Sequence, residues 1–161
     1  RTNTERDYAE KVLIVEENQV TPWHYHWKKC EDVINRGGGV LCIHFYQAPS
    51  NDIGPYDDWQ IGAFSKHYVR IILNGEERKL LPGSKIELKP GESCTVFPKV
   101  YHKFYGKEDM GTVLVGEVSK VNDDYYDSRF KKRLERFPEI VEDEPPEHIL
   151  CNEYEKVLEK F

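Results

Sequence analysis

The stretch His24-Tyr25-His26-Trp27-Lys28-Lys29-Cys30-Glu31 carries the deciding pattern, and His102 follows it 71 residues later. The residues around it read as a strand, where side chains alternate between faces with period two. His24 and His26 then point one way and Tyr25 the other. Three imidazoles and one carboxylate can hold a metal ion while coordination positions stay open for a substrate. Glu31 stands five residues past His26, so the chain must bend or bulge before the carboxylate returns to the ion. The run Asn35-Arg36-Gly37-Gly38-Gly39 predicts a turn just beyond it. Two histidines on one strand face would be costly to bury without a common partner, which favours His24, His26, Glu31 and His102 as one ligand set. His44, His67 and His148 lack such company and read as structural.

Outward from this stretch, short apolar runs recur along the chain. Strands are expected near Val12–Val15, Val20–Trp27, Val40–Gln47, His67–Leu73, Glu76–Leu81, Lys85–Leu88, Cys94–Phe97, His102–Tyr105, Thr112–Val118 and Ile149–Glu153. Asn74-Gly75 suits the positive φ angles of a type I′ hairpin turn. Pro82-Gly83 and Pro90-Gly91 suit type II turns. Many short strands with such punctuation predict an antiparallel sandwich or barrel. One short C-terminal helix is expected over Asp127–Phe137, where Phe130, Leu134 and Phe137 are set among basic residues.

The chain has 161 residues, most simply one domain over 1–161. Its net charge of −6 argues against nucleic acid as a partner. No apolar run approaches the roughly 20 residues that span a bilayer, so no membrane partner is expected. No secretory signal is read in the sequence. The four cysteines, Cys30, Cys42, Cys94 and Cys151, form no C-x-x-C pair. They read as free thiols of a reducing, cytoplasmic compartment, with Cys30 the one placed to act as a soft ligand.

The two ligand-bearing stretches together resemble the paired signature of the cupin superfamily. In the first motif, G-x5-H-x-H-x3,4-E-x6-G, His24, His26, Glu31 and Gly38 fit, and Asn18 stands for the leading Gly. In the second, G-x5-P-x-G-x2-H-x3-N, Gly91 and His102 fit. There Phe97 replaces the Pro, Lys99 the second Gly and Gly106 the Asn. These substitutions fall on turn-shaping positions and remove no ligand. A longer series narrows the likeness: Thr21-Pro22-Trp23-His24-Tyr25-His26-Trp27, Glu31 through Gly39, Leu114-Val115-Gly116-Glu117-Val118-Ser119, Val121-Asn122-Asp123-Asp124, Glu142-Asp143-Glu144-Pro145 and Leu150-Cys151-Asn152-Glu153-Tyr154. In this order it resembles the D-lyxose isomerases, from about Val20 to Tyr154, with no counterpart for Asn51–Lys66. The resemblance implies an all-β cupin double-stranded β-helix, one divalent ion with Mn²⁺ favoured, a small monosaccharide substrate and a homodimer.

The implied reaction interconverts D-lyxose and D-xylulose, with D-mannose to D-fructose as a second activity, by proton transfer through a cis-enediol. A carboxylate near the reacting carbons can shuttle that proton. Glu31 keeps an oxygen free if it binds the ion through one. Glu117 either faces the cavity or lies outward or paired. Lys29 either donates to a sugar oxygen or is solvated. Asp123 and Asp124 either close over the site or form a polar turn. Trp23, Tyr25 and Trp27 read as core or interface residues, with sugar stacking the sharper alternative for Trp27. Gly37-Gly38-Gly39 lacks the Lys-Ser/Thr of a phosphate loop and reads as turn chemistry. Two rival functions remain: an isomerase of a phosphorylated sugar, with Arg36, Arg70 and the Arg129–Arg136 cluster as candidate phosphate ligands, and a non-catalytic sugar-binding cupin.

Overall fold

The computed structural model describes residues 7–52, 62–123, 126–132, 143–145 and 147. Among these the chain forms β1 (Tyr8–Val15), β2 (Thr21–His26), β3 (Glu31–Gly38), β4 (Leu41–Gln47), β5 (Val69–Leu73), β6 (Glu76–Leu80), β7 (Lys85–Leu88), β8 (Ser93–Val96), β9 (Val100–Gly106), β10 (Val113–Lys120) and β11 (Ser128–Phe130). They make a six-stranded sheet, β1-β10-β3-β8-β5-β6, and a five-stranded sheet, β11-β2-β9-β4-β7. Alternation decides which face each strand buries. Along β10, Val113, Val115 and Ser119 are buried while Leu114 and Lys120 are exposed. The inward rows of both sheets meet in one core, with Val33, Val69, Ile71, Val96, Val113 and Val115 from one side and Leu41, Ile43, Phe45, Leu88 and Phe104 from the other. The strand pattern predicts such an antiparallel sandwich, and the resemblance implies this all-β double-stranded β-helix. Among the described residues no helix is long and apolar enough to cross a membrane.

The turns explain where the chain departs from the consensus of the two motifs it resembles. Asn18 and Lys99, which stand at glycine positions of the two motifs, have φ of 59° and 61°. A left-handed conformation costs an L-residue about 1–2 kcal/mol. At Lys99 it is held by hydrogen bonds: its N–H donates to His26 O (2.8 Å) and its carbonyl accepts from Ala48 N (2.9 Å) and Gln47 Nε2 (3.0 Å). Asn74 and Gly75 have φ of 50° and 82°, both positive as a type I′ turn requires.

Two expectations need correction. Glu31 through Ile34, where no strand is expected, is the first half of β3, which pairs with β8 and β10, and the turn expected from Asn35 falls within that strand as far as Gly38. Its charged and polar residues hid a strand whose inward positions are Glu31, Val33 and Asn35. The β3–β10 register shifts between Leu114 and Val115, which leaves Arg36 as the extra residue of a bulge. Gly38 follows with φ of 84°, and a Cβ there would collide with the Thr112 carbonyl oxygen. The second correction concerns the helix expected over Asp127–Phe137. Ser128–Phe130 is instead β11, hydrogen-bonded to β2. Ladder pairing with β2 overrides the helical spacing there, while residues 133–137 lie outside the described residues. So does the strand expected at Ile149–Glu153.

Candidate metal centre and active site

Strand register assembles the histidines. His24 on β2 sits directly opposite His102 on β9, and cross-strand neighbours bring their Cβ atoms within about 4.5–5.5 Å. Their ring centroids are 4.2 Å apart. His26 lies two residues along the same face. Residues 27–30 then carry the chain to the other sheet, where Glu31 opens β3. The carboxylate therefore approaches from the opposite wall. One donor atom from each of His24, His26, Glu31 and His102 fits within 4.8 Å of the others, and all four residues are buried.

Each imidazole is oriented through its Nδ1. That atom lies 2.8 Å from Pro22 O in His24, 3.0 Å from Val100 O in His102 and 3.3 Å from Asp127 O in His26. A carbonyl accepts only, so these Nδ1 atoms carry the protons and Nε2 presents a lone pair inward. Burial pushes His24 down to about 3, with His102 adding to the effect, and burial pushes His26 down to about 2. Both rings are neutral donors. His26 Nε2 and Glu31 Oε1 are buried and accept no hydrogen bond within the described residues. His102 Nε2 lies 2.8 Å from Glu31 Oε1, so a neutral His102 turns a lone pair toward a carboxylate oxygen. A shared cation converts that repulsion into ligation. The donor set thus fits a divalent ion of the Mn, Fe, Co, Ni or Zn group.

A second cluster adjoins this one. Lys29 is only 4% exposed, and its Nζ lies 2.6 Å from Glu31 Oε2 and 2.8 Å from Glu117 Oε1. Burial alone would lower the Lys29 pKa; Glu31 and Glu117 outweigh it, and the ammonium is held above its ordinary value. Burial alone would likewise raise the Glu31 pKa. The Lys29 ammonium, 2.6 Å away, pulls it the other way, below the usual carboxylate range. Glu117 occupies an inward position of β10 and also accepts from Ser119 Oγ (3.0 Å) and Lys11 Nζ (3.4 Å). Both clusters open on a cavity of about 280 Å³, walled by Leu13, Val33, Phe104, Val115 and Phe130. That volume lies just under the roughly 300–1,000 Å³ of drug-sized ligand sites.

A family model described as D-lyxose isomerase matches residues 1–154. The chain belongs to the D-lyxose isomerase family. It is 45% identical over 149 residues to a D-lyxose/D-mannose isomerase of Serratia proteamaculans, covering 92% of this chain and 61% of that protein. It is 44% identical to one of Escherichia coli O157:H7, covering 91% and 60% respectively. The chain thus spans about three fifths of the length of these curated relatives. Among solved structures, an L-ribose isomerase of Cellulomonas parahominis with L-ribose superposes with a TM-score of 0.53 at 19% identity, covering 77% of this chain and 58% of that one. The L-ribose isomerase of Geodermatophilus obscurus gives 0.51 at 20% identity, covering 76% and 57%. At such identities these two matches speak for the fold alone.

In this member of the D-lyxose isomerase family, buried Lys29 and partly buried Glu117 both line the cavity, paired with each other. Asp123 does not: it is exposed, beside a neighbouring pocket with Lys28, Lys120 and Tyr126. Asp124 lies outside the described residues. Trp27 packs with Tyr25 and Tyr101 and does not line the cavity. The aromatic walls are Phe104 and Phe130, the latter stacked on His24 at 5.5 Å. Reading Phe130 as helical concealed it. Arg36 pairs with Glu10, and Arg70 with Glu77, both at the surface. Buried Arg129 lies 3.8 Å from Asp52. None of the three lines the cavity, whose cationic side chains among the described residues are Lys11 and Lys29. His44 bonds Tyr105 (3.2 Å), as a structural histidine should. Cys42 and Cys94 are buried free thiols, and Cys30 stands outside the ligand cluster. Lys11 and Asp127 were not anticipated. A basic residue on an edge strand and an acid in a polar loop carry no periodic signal.

Proposed function

We propose that this chain acts as a metal-dependent aldose–ketose isomerase that converts D-lyxose to D-xylulose and, as a second activity, D-mannose to D-fructose. The two relatives, both D-lyxose/D-mannose isomerases, support the choice of sugars. One divalent ion, assigned as Mn²⁺, is held by His24, His26, Glu31 and His102. The observation that carries this reading is the meeting of that donor cluster with the Lys29–Glu117 pair in one cavity. When bound, the ion supplies Lewis acidity that polarises a substrate carbonyl and steadies charge on its oxygen. Glu117 takes the proton from C2 while O1 gains one, giving the cis-enediol. Return of the carbon-bound proton to C1 and loss of the proton on O2 leave the ketose. Lys29 donates to a sugar oxygen and balances the charge of Glu31 and Glu117. Glu31, through an oxygen not used on the ion, is the second candidate carrier. Asp123, outside the cavity, is assigned no step. A homodimer and a cytoplasmic location are part of the same proposal, supported by the family resemblance.

The test is incubation of metal-loaded protein with D-lyxose, D-mannose and their phosphate esters. Ketose from the free sugars is expected. Ketose from the esters alone would move the assignment to a phosphosugar isomerase. Sugar binding without ketose would make the chain a non-catalytic sugar-binding cupin.

A further inference from the structure

The four residues between His26 and Glu31 leave one sheet and enter the other, so no ladder satisfies their amides. Buried N–H groups must nevertheless find acceptors. Three consecutive ones find the same residue. Trp27 N donates to the Asp127 carbonyl (3.1 Å), Lys28 N to Asp127 Oδ1 (2.8 Å) and Lys29 N to Asp127 Oδ2 (3.1 Å). The same Asp127 carbonyl is the partner of His26 Nδ1 (3.3 Å). Asp127 is itself only 6% exposed, and its N–H donates to Asp123 O (2.8 Å) just before β11 pairs with β2.

We propose that Asp127 is a positioning residue of the active site: its carboxylate clamps the crossover so that the Lys29 ammonium stands between Glu31 and Glu117. This rests on the isomerase reading for its catalytic consequence but not for its geometry. A carboxylate suits this geometry, because the two N–H groups each take a separate oxygen. Clamping at the amide fixes where the lysine stem starts. A stem of four carbons would otherwise sample many positions, and catalysis is sensitive to displacements of about 1 Å. The His26 contact uses the backbone carbonyl, so a change of side chain leaves that orientation available to the metal site.

The experiment compares metal-loaded wild type with Asp127→Asn, Lys29→Met and the double variant. Asparagine keeps the size but offers one oxygen, and turns an NH₂ toward an N–H. Asp127→Asn is expected to lower kcat ten- to a hundredfold with metal content retained and KM changed by less than about threefold. In the Lys29→Met background the same substitution should lower kcat by less than about twofold, because the group through which it acts is gone. Equal losses in both backgrounds, or an unchanged kcat, would overturn the proposal. Asp127→Glu retains both oxygens. It should exceed Asp127→Asn in kcat, and failure to do so counts against the clamp. A second readout needs no turnover: amide exchange at Lys28 and Lys29, and the rate at which trinitrobenzenesulfonate labels Lys29. Both should rise in Asp127→Asn relative to Asp127→Glu. If neither rises, Asp127 is no clamp. If both rise while wild type converts no sugar, the clamp stands and the isomerase reading fails.

Discussion

At the residue scale the site is a set of groups that cannot all be satisfied by protein alone. Three imidazoles have spent their protons on carbonyls, and a carboxylate oxygen meets one of their lone pairs at 2.8 Å. Removing one donor should therefore remove the ion: His26→Ala and His102→Ala are expected to purify with little bound metal, as elemental analysis will show. Full occupancy in either variant would sink the ligand assignment. Glu117→Gln separates proton transfer from ligation. The amide is nearly isosteric but is no base, so metal is kept and turnover falls by about 10²–10⁴. The same step has an isotopic signature. Reaction in D₂O should leave deuterium on the product carbon, because a carboxylic acid that holds the proton exchanges it with solvent before returning it. A product free of carbon-bound deuterium after reaction in D₂O, together with complete retention of label when C2-deuterated sugar reacts in H₂O, would point to a hydride shift and strip Glu117 of its role.

At the element scale the bulged β3–β10 pairing makes one glycine irreplaceable, while the β5–β6 hairpin turn holds another that is merely useful. Gly38 combines φ of 84° with a Cβ path blocked by the Thr112 carbonyl, whereas Gly75 has φ of 82° and nothing within 4 Å. Gly38→Ala should lower unfolding stability by more than about 2 kcal/mol, and Gly75→Ala by about 1 kcal/mol. Urea midpoints compared at a common slope measure both. Similar midpoints would mean that the bulge relaxes around a methyl group. The contrast also shows what the sequence made legible. Alternation and turn dipeptides announce β2, β4, β5 and β10, because a half-buried strand writes period two into its residues. The His-x-His spacing announces the ligands for the same reason. β3 was missed because its inward positions are Glu31, Val33 and Asn35: two polar residues with functional or hydrogen-bonding duties break the apolar rhythm. Asn35 is fully buried, and its side-chain amide donates to Gly39 O and Leu88 O, both at 2.9 Å. β11 was missed because three residues are too few to show a period, and its identity comes from β2 beside it. The Lys29–Glu117 contact joins residues 88 positions apart, which no local pattern records.

At the scale of the whole molecule the ligands bridge the two sheets, Glu31 from one and the histidines from the other. An ion there ties the sandwich together, and any ligand that binds only the folded state stabilises it. At a free metal concentration of a hundred times Kd the gain is about 2.7 kcal/mol. For a chain of this length that is roughly 5–10 °C in Tm. Chelation followed by calorimetry should lower Tm by that amount, and re-addition of the ion should restore it. An unchanged Tm would mean that the cluster holds no ion in solution. The bridging has a further consequence for biosynthesis. His102 leaves the ribosome 71 residues after Glu31, a delay of roughly 4–14 s at 5–20 residues per second. Throughout that interval the nascent chain exposes two histidines and a carboxylate with neither β9 nor β10 in place. Such an open fragment ranks ions by raw affinity, copper and zinc ahead of manganese. The finished cavity, with its rings already fixed, ranks them by fit. Protein refolded in mixed metals and protein loaded after folding should therefore carry different ions.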